Sequence, residues 1–163
     1  MPSLQRVPRI LVAVHQESDL EAIVAALHVN DPRVTVWSAC SGQEVFEQLK
    51  VGGDRGTRGL PSLLLLDLSL QGPTGLEVLR RLRDCPRTNC LPIVCLSGEH
   101  IGGEGRSELV DEAYTSGANS CVTQPGDRGN LQAVVTRIAK YWLTLNQLPQ
   151  EFRREAAAGL SIG

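Results

Sequence analysis

Short apolar runs alternate along the chain with longer segments that are apolar on one side only. Five of these runs predict strands, at residues 9–14, 34–39, 63–67, 91–97 and 120–123. The third run, four leucines before an aspartate, has no polar break, which is typical of a strand buried on both faces of a parallel sheet. The alternation as a whole predicts a doubly wound α/β domain with five strands and five helices.

The segments between the runs carry helix signals. The spacings Ser18–Glu21 and Ser41–Glu44 are those of capping boxes and predict the starts of the first two helices. The last helix begins at Asp127, has the longest helical periodicity in the chain and is expected to run to Pro149. In the third helix we expect leucines to face inward and arginines outward, namely Leu76, Leu79 and Leu82 against Arg80, Arg81 and Arg83.

Composition narrows the class of protein. At 163 residues, 42% apolar and 21% charged, the chain fits one globular domain, expected at 9–149 between tails at 1–8 and 150–163. The net charge of -2 gives no electrostatic case for binding nucleic acid or an anionic membrane. No apolar run is long enough to cross a bilayer, and the start of the chain lacks a signal-peptide core.

The cysteines and the glycine-rich segments exclude other classes. Five cysteines, an odd number without paired spacing, argue against a disulfide framework and favour a cytoplasmic protein. Cys40, Cys95 and Cys121 lie in or beside apolar runs, so we expect buried structural thiols and no metal site. The stretch 102–105 does not complete a dinucleotide-binding loop, and the hydrolase and P-loop motifs are missing from the sequence. The sequence therefore predicts neither an enzyme nor a cofactor.

Asp67 is the main candidate for chemistry, because it closes the most apolar strand. Open α/β sheets bind ligands at the carboxyl ends of their strands. A charge at such a place is costly unless it has partners or a task. Two interpretations follow from the residues: a carboxylate that reacts, or a structural carboxylate that holds backbone amides.

Three segments resemble the receiver domain of two-component response regulators. The third unit, LLLLDLSLQGPTGLEVLRRLR, is similar to the family pattern LILLDLxLPxxxGxEVLxxIR. The fourth strand, PIVCLSGEH, resembles PIVxLTxxx, and the fifth, GANSCVTQP, resembles GAxxYLxKP. The ending IAKYWLTLNQLP resembles stand-alone receivers that work with phytochrome-type histidine kinases. The resemblance implies a flavodoxin-like three-layer sandwich of (βα)5 type, with sheet order 2-1-3-4-5 and a phosphate pocket at the strand ends.

The resemblance assigns roles to four residues of the pocket. Asp67 matches the phosphoacceptor, and Ser97 matches the hydroxyl residue that contacts the phosphoryl group. Ser69 matches the residue whose backbone carbonyl helps Asp67 to bind Mg²⁺, and Gly98 matches the small residue that leaves room for a phosphodonor.

Other positions depart from the family pattern. Val14 and His15 stand where an acidic pair should end the first strand, so we expect Mg²⁺ binding to be weak or lost. Gln124 occupies the lysine position and Cys121 the aromatic switch position. Three residues are candidates to supply the missing positive charge, namely Arg106, Arg128 and protonated His15. The imidazole of His15 leaves a softer transition metal as an alternative.

The resemblance implies a single-domain receiver in phosphorelay signalling. Its partner would be a histidine kinase, and a kinase of the phytochrome type is the candidate. Asp67 would be the phosphoacceptor, and its Mg²⁺-dependent phosphorylation would be impaired. The alternative is a pseudo-receiver, a protein-binding module that works without phosphate. The wide apolar stripe near Trp142 agrees with a homodimer formed through the last two β/α units, although a monomer core explains most of that stripe.

Overall fold

A computed structural model describes residues 7–53, 59–99 and 101–150 of the chain. The predictions made for most of both tails lie outside the described residues. In the part of the chain that is described, no helix is both long and apolar enough to cross a membrane.

The five predicted strands form one parallel sheet in the order β2-β1-β3-β4-β5, as the resemblance implies. The strands are β1 (Arg9–Ala13), β2 (Thr35–Ala39), β3 (Leu63–Asp67), β4 (Ile93–Gly98) and β5 (Ser120–Gln124). The central strand β3 is buried along its whole length, which agrees with its unbroken leucines. The sequence order reverses between β1 and β3, and in sheets of this kind ligands bind beside that point.

Helices cover both faces of the sheet. They are α1 (Glu17–Asn30), α2 (Gly42–Leu49), α3 (Gly75–Asp84), α4 (Gly103–Thr115) and α5 (Arg128–Lys140), followed by a π-helical turn at Tyr141–Leu145. Successive strand residues point to opposite faces. Leu64 and Leu66 therefore pack with α2 and α3, whereas Leu63 and Leu65 pack with α1 and α5. The three layers make the flavodoxin-like sandwich that the resemblance implied.

The structure confirms the predicted start of α2 but not the predicted start of α1. Ser41 caps α2 as predicted, since its hydroxyl accepts from the Glu44 N–H at 3.2 Å. The capping box at Ser18 is wrong, because α1 already begins at Glu17 and its N-cap residue Gln16 makes no side-chain cap bond. Ser18 therefore lies inside the first turn. The earlier start also places Asp19 on the first turn of α1, next to the strand ends.

Three further predictions are corrected by the fold. Arg83 does not face solvent: its guanidinium is half-buried and donates to the carbonyls of Gly117 and Leu91, both at 2.8 Å. The last helix does not reach Pro149, because the chain becomes extended at Asn146. Cys40 is exposed at the end of β2, whereas Cys95 is buried as expected and Cys121 is intermediate.

Candidate functional site

A cavity of about 330 Å³ lies at the carboxyl ends of the strands, beside the point where the strand order reverses. Larger grooves, of about 660 and 760 Å³, lie elsewhere and carry none of the residues predicted for the site. The polar side chains that line the 330 Å³ cavity are His15, Gln16, Asp19, Asp67, Ser69, Glu99 and Gln124. Gly98 and Gly126 also line it, so part of its wall is bare backbone.

Both carboxylate oxygens of Asp67 are hydrogen-bonded. The side chain is 3% exposed, and its Oδ1 accepts from the Ser69 N–H at 2.8 Å and from the Ser69 hydroxyl at 2.6 Å. Oδ2 lies 3.0 Å from Nδ1 of His15. A carboxylate can only accept, so Nδ1 carries the hydrogen in this contact. Asp67 is thus a partnered carboxylate at the end of the central strand.

The donor atoms at Asp67 do not fit the Mg²⁺ ion that the resemblance implies. Mg²⁺ requires oxygen ligands in near-octahedral geometry. Val14 is 2% exposed and packs in the core beneath α1 and α5, and His15 offers nitrogen. The backbone carbonyl of Ser69, the predicted metal ligand, accepts a hydrogen bond from Gln71 Nε2 at 3.1 Å. No step of the chemistry is therefore assigned to a metal ion here.

A second polar pair joins α1 to β5 across the same cavity. The Nε2 of Gln124 donates to Oδ2 of Asp19 at 2.6 Å, and Gln124 is 8% exposed. The residue at the lysine position is therefore directed to a carboxylate other than Asp67. Sequence reasoning missed Asp19, because it was placed inside a capping box. Its position four residues after His15, in the short stretch that joins β1 to the first turn of α1, is the signal that places both near the strand ends.

Charge in the cavity is mostly negative. Asp19, Asp67 and Glu99 bring three carboxylates, and among the lining residues that the structure describes His15 is the one basic side chain. The Glu99 carboxylate accepts from the Gly126 N–H at 3.0 Å. The arginines considered as substitutes for the lysine are directed elsewhere. Arg106 donates to the carbonyls of Ile101 and Glu99, and Arg128 lies 3.8 Å from Glu21.

Ser97 and Cys121 lie apart from this cavity. Ser97 follows Cys95 at alternating positions of β4, so it points to the α2–α3 side of the sheet and does not line the cavity. Its hydroxyl is buried and has no hydrogen-bond partner among the described residues. Cys121 is the register partner of Cys95, and its N–H donates to the Tyr114 hydroxyl at 3.2 Å. Burial raises the pKa of the Cys95 thiol to about 12, which keeps it protonated.

The fold and the site together define a class: a flavodoxin-like α/β domain with a buried aspartate at the carboxyl end of its central strand. A family model for the response regulator receiver domain matches residues 7–136. The chain therefore belongs to the response regulator receiver family, whose members act in two-component signalling.

Relatives with known names or structures agree with this assignment. The response regulator PleD of Caulobacter vibrioides is 31% identical over 106 residues, which cover 65% of this chain and 21% of PleD. The crystal structure of the phosphorylated cyanobacterial phytochrome response regulator RcpA has 25% identity and a TM-score of 0.79, covering 89% of this chain and 100% of RcpA. The Mn²⁺-bound form of response regulator Rcp1 has 25% identity and a TM-score of 0.75, covering 87% of this chain and 99% of Rcp1. The chain thus spans about a fifth of PleD and nearly all of RcpA and Rcp1.

Proposed function

We propose that this chain is a receiver that exchanges signals with a histidine kinase, with a phytochrome-type kinase as the candidate, and that Asp67 accepts phosphate with little dependence on Mg²⁺. The observation that carries the proposal is the contact of 3.0 Å between Asp67 Oδ2 and His15 Nδ1. It supplies the acceptor carboxylate with a polar partner at the place where the family uses a cation. The likeness to the phytochrome response regulator RcpA supports the choice of kinase.

For phosphoryl transfer, the main task of the domain is to align Asp67 with the phosphodonor. An oxygen of Asp67 attacks the phosphorus of a phosphohistidine, the P–N bond breaks, and the departing imidazole takes up a proton. Phosphoryl transfer depends mainly on positioning and on stabilising charge at the transferred oxygens. Ser69 positions the carboxylate through its two hydrogen bonds, and Gly98 leaves room beside it. Because the lysine is replaced by Gln124, we expect this transfer to be slow.

Intact-protein mass spectrometry after incubation with acetyl phosphate tests the proposal. We expect one phosphate adduct to form slowly, at similar rates with Mg²⁺ and with a chelator, and to be lost in Asp67→Asn. Asp84→Asn, which changes an exposed aspartate at the end of α3, should keep the adduct. A fast adduct that needs Mg²⁺ would contradict the argument from Val14 and His15.

The negative charge of the cavity favours a second candidate function, a pseudo-receiver that binds a protein partner without phosphate. Three carboxylates line the cavity that an incoming phosphoryl group would enter, and His15 is the only basic side chain among its described lining residues. Like charges that line one partly buried cavity repel each other. If acetyl phosphate and a cognate kinase both leave Asp67 unmodified, while the kinase binds wild type and Asp67→Asn equally, the second candidate is the correct one.

The proposal also covers the surroundings in which the protein works. We propose that the receiver acts in the cytoplasm, together with its histidine kinase. We propose no enzymatic activity and no nucleic-acid partner. The domain itself is proposed to extend over residues 9–149, and a homodimer through the last two β/α units is part of the same proposal.

A further inference from the structure

His15 lies at the end of β1, between the last core residue of that strand and the start of α1. We propose that His15 replaces a divalent cation as the resident partner of Asp67: its ring holds Oδ2 of the carboxylate, as Ser69 holds Oδ1, and keeps Mg²⁺ from binding. His15 is thus a positioning residue. The inference rests on the proposed function only in taking this cavity as the signalling site.

The backbone around His15 fixes the direction of its side chain. The preceding Val14 is anchored in the core, and its N–H donates to the carbonyl of Ala39 at 3.2 Å. The following Gln16 is the N-cap of α1, and its carbonyl accepts from the Leu20 N–H at 3.1 Å. His15 is held between these two anchors. Its ring reaches Asp67, 52 positions further along the chain, and is still 38% exposed.

The contact occupies the oxygen that a metal ion would need. Oδ1 of Asp67 already accepts two hydrogen bonds from Ser69, so Oδ2 is the oxygen with room for a ligand on the cavity side. The ring nitrogen of His15 approaches Oδ2 at 3.0 Å. A cation bound to Oδ2 would have to displace the ring and would gain no oxygen ligand from it.

The remaining acids of the cavity are partnered in the same manner. Asp19 accepts from Gln124 at 2.6 Å, and Glu99 accepts from the Gly126 N–H at 3.0 Å. Each of the three carboxylates therefore has an N–H donor from the protein itself. Hydrogen bonds stabilise a carboxylate as a nearby cation does, so the protein itself supplies partners for Asp67, for the half-buried Asp19 and for the exposed Glu99.

Replacing His15 by a residue that can ligate a metal ion tests the inference directly. His15→Asp removes the ring nitrogen from Oδ2 of Asp67 and puts a carboxylate in its place, so Mg²⁺ gains an oxygen ligand of the kind it prefers. We expect His15→Asp to bind Mn²⁺, measured by electron paramagnetic resonance of the free ion, at least about tenfold more tightly than wild type, about 1.4 kcal/mol. Excess Mg²⁺ should displace the bound Mn²⁺.

Two control variants separate this effect from charge alone. His28→Asp adds the same carboxylate on the exposed end of α1, and His15→Asn keeps a side-chain donor near Asp67 without adding charge. We expect both to bind Mn²⁺ as weakly as wild type. Tight binding by wild type, equal binding by His28→Asp, or no gain in a folded His15→Asp would each overturn the inference.

The tautomer of His15 gives a second measurement, which does not depend on the Mn²⁺ binding experiment. In wild type, long-range ¹H–¹⁵N NMR should show the hydrogen on Nδ1, and in Asp67→Ala it should move to Nε2, the position that free histidine prefers. His28 is an internal reference, because its Nε2 contacts the carbonyl of Val34 at 3.1 Å and must carry the hydrogen in both proteins. An unchanged tautomer at His15 would overturn the inference. Neither experiment uses a phosphodonor, so a failure of Asp67 to accept phosphate leaves them interpretable.

Discussion

At the scale of single residues, the position of Asp67 depends on Gly75, the first residue of α3. A Cβ at Gly75 would lie 2.6 Å from the backbone carbonyl of Asp67 and 2.6 Å from the Cα of Leu68. Both neighbours are backbone atoms, which cannot rotate away as a side chain can. The close approach of α3 to the end of β3 is therefore possible only with glycine at this position, and it shapes the turn that brings Ser69 to the Asp67 carboxylate.

This close approach predicts opposite effects for two glycine substitutions. Gly75→Ala should lower the free energy of unfolding by about 2 kcal/mol or more, as overpacking against backbone does. Gly105→Ala should raise it by about 0.5 kcal/mol, because residue 105 lies in α4 with open space around it and alanine favours helix. Urea unfolding followed by circular dichroism measures both. Equal stability of the two variants would show that α3 can shift away from β3 at little cost.

The site residues differ in how far sequence could predict them. Asp67 was predictable because a charge after four leucines is visible in one segment of the chain. The His15 contact was not, since it joins residues 52 positions apart and depends on the exact end of β1. Asp19 was missed for a local reason: two acceptable helix starts lie a residue or two apart, and propensity does not choose between them. Polar contacts between residues far apart in the chain depend on the tertiary structure, which the hydrophobic periodicity of the sequence does not predict.

At the scale of the elements, Arg83 connects α3 to the two strands beyond it. Its Nε donates to the Gly117 carbonyl after α4, and its Nη1 donates to the Leu91 carbonyl before β4. Its Nη2 donates to Oδ1 of Asn119, which also accepts from the Ile93 N–H at 2.8 Å. Burial lowers the pKa of this guanidinium from its ordinary value. Arg83 thus supplies donors to carbonyls that the helix and strand ends leave without partners.

Helical periodicity placed Arg83 on the outer face, and the error has a physical cause. Residue 83 is four positions after Leu79 and one after Leu82, so it lies at the edge of the buried stripe of α3. A long side chain at that edge can follow the apolar surface with its stem and reach polar atoms beyond it. Arg80 and Arg81 are exposed, as predicted. Helical periodicity therefore predicts which residues lie on the buried and exposed faces of a helix. It does not predict where a long side chain at the border between the two faces will extend.

Arg83 and Arg80 should respond differently to the same substitution. Arg83→Met should lower the free energy of unfolding by about 2–3 kcal/mol, because it leaves several partly buried carbonyls without a donor. Arg80→Met removes an exposed contact of 3.5 Å to Glu112 and should change stability by less than about 1 kcal/mol. Chemical denaturation of both variants gives the comparison. Similar losses in the two would mean that the carbonyls around Arg83 are satisfied by water.

At the scale of the whole molecule, the segment after α5 passes from one layer of the sandwich to the other. Trp142 and Leu143 pack against the core beneath α1 and α5, whereas Leu148 packs against the core beneath α2 and α3. This course leaves Tyr141 50% exposed and Leu145 72% exposed. Tyr114 of α4, also 50% exposed, belongs to the other of the last two β/α units. Large apolar side chains left outside on these units are suited to contact with a second copy.

The proposed homodimer predicts that a charge at this surface weakens self-association. Leu145→Glu should raise the dimer dissociation constant by about tenfold or more, since a buried apolar contact would be replaced by an unpaired carboxylate. Val29→Glu is the matched control, because Val29 is 85% exposed on α1, outside the last two units, and receives the same charge. Sedimentation velocity over a range of protein concentrations measures both. A protein that is monomeric at every concentration, or equal weakening by both substitutions, would contradict the dimer and leave Tyr141 and Leu145 as surface available to a different partner.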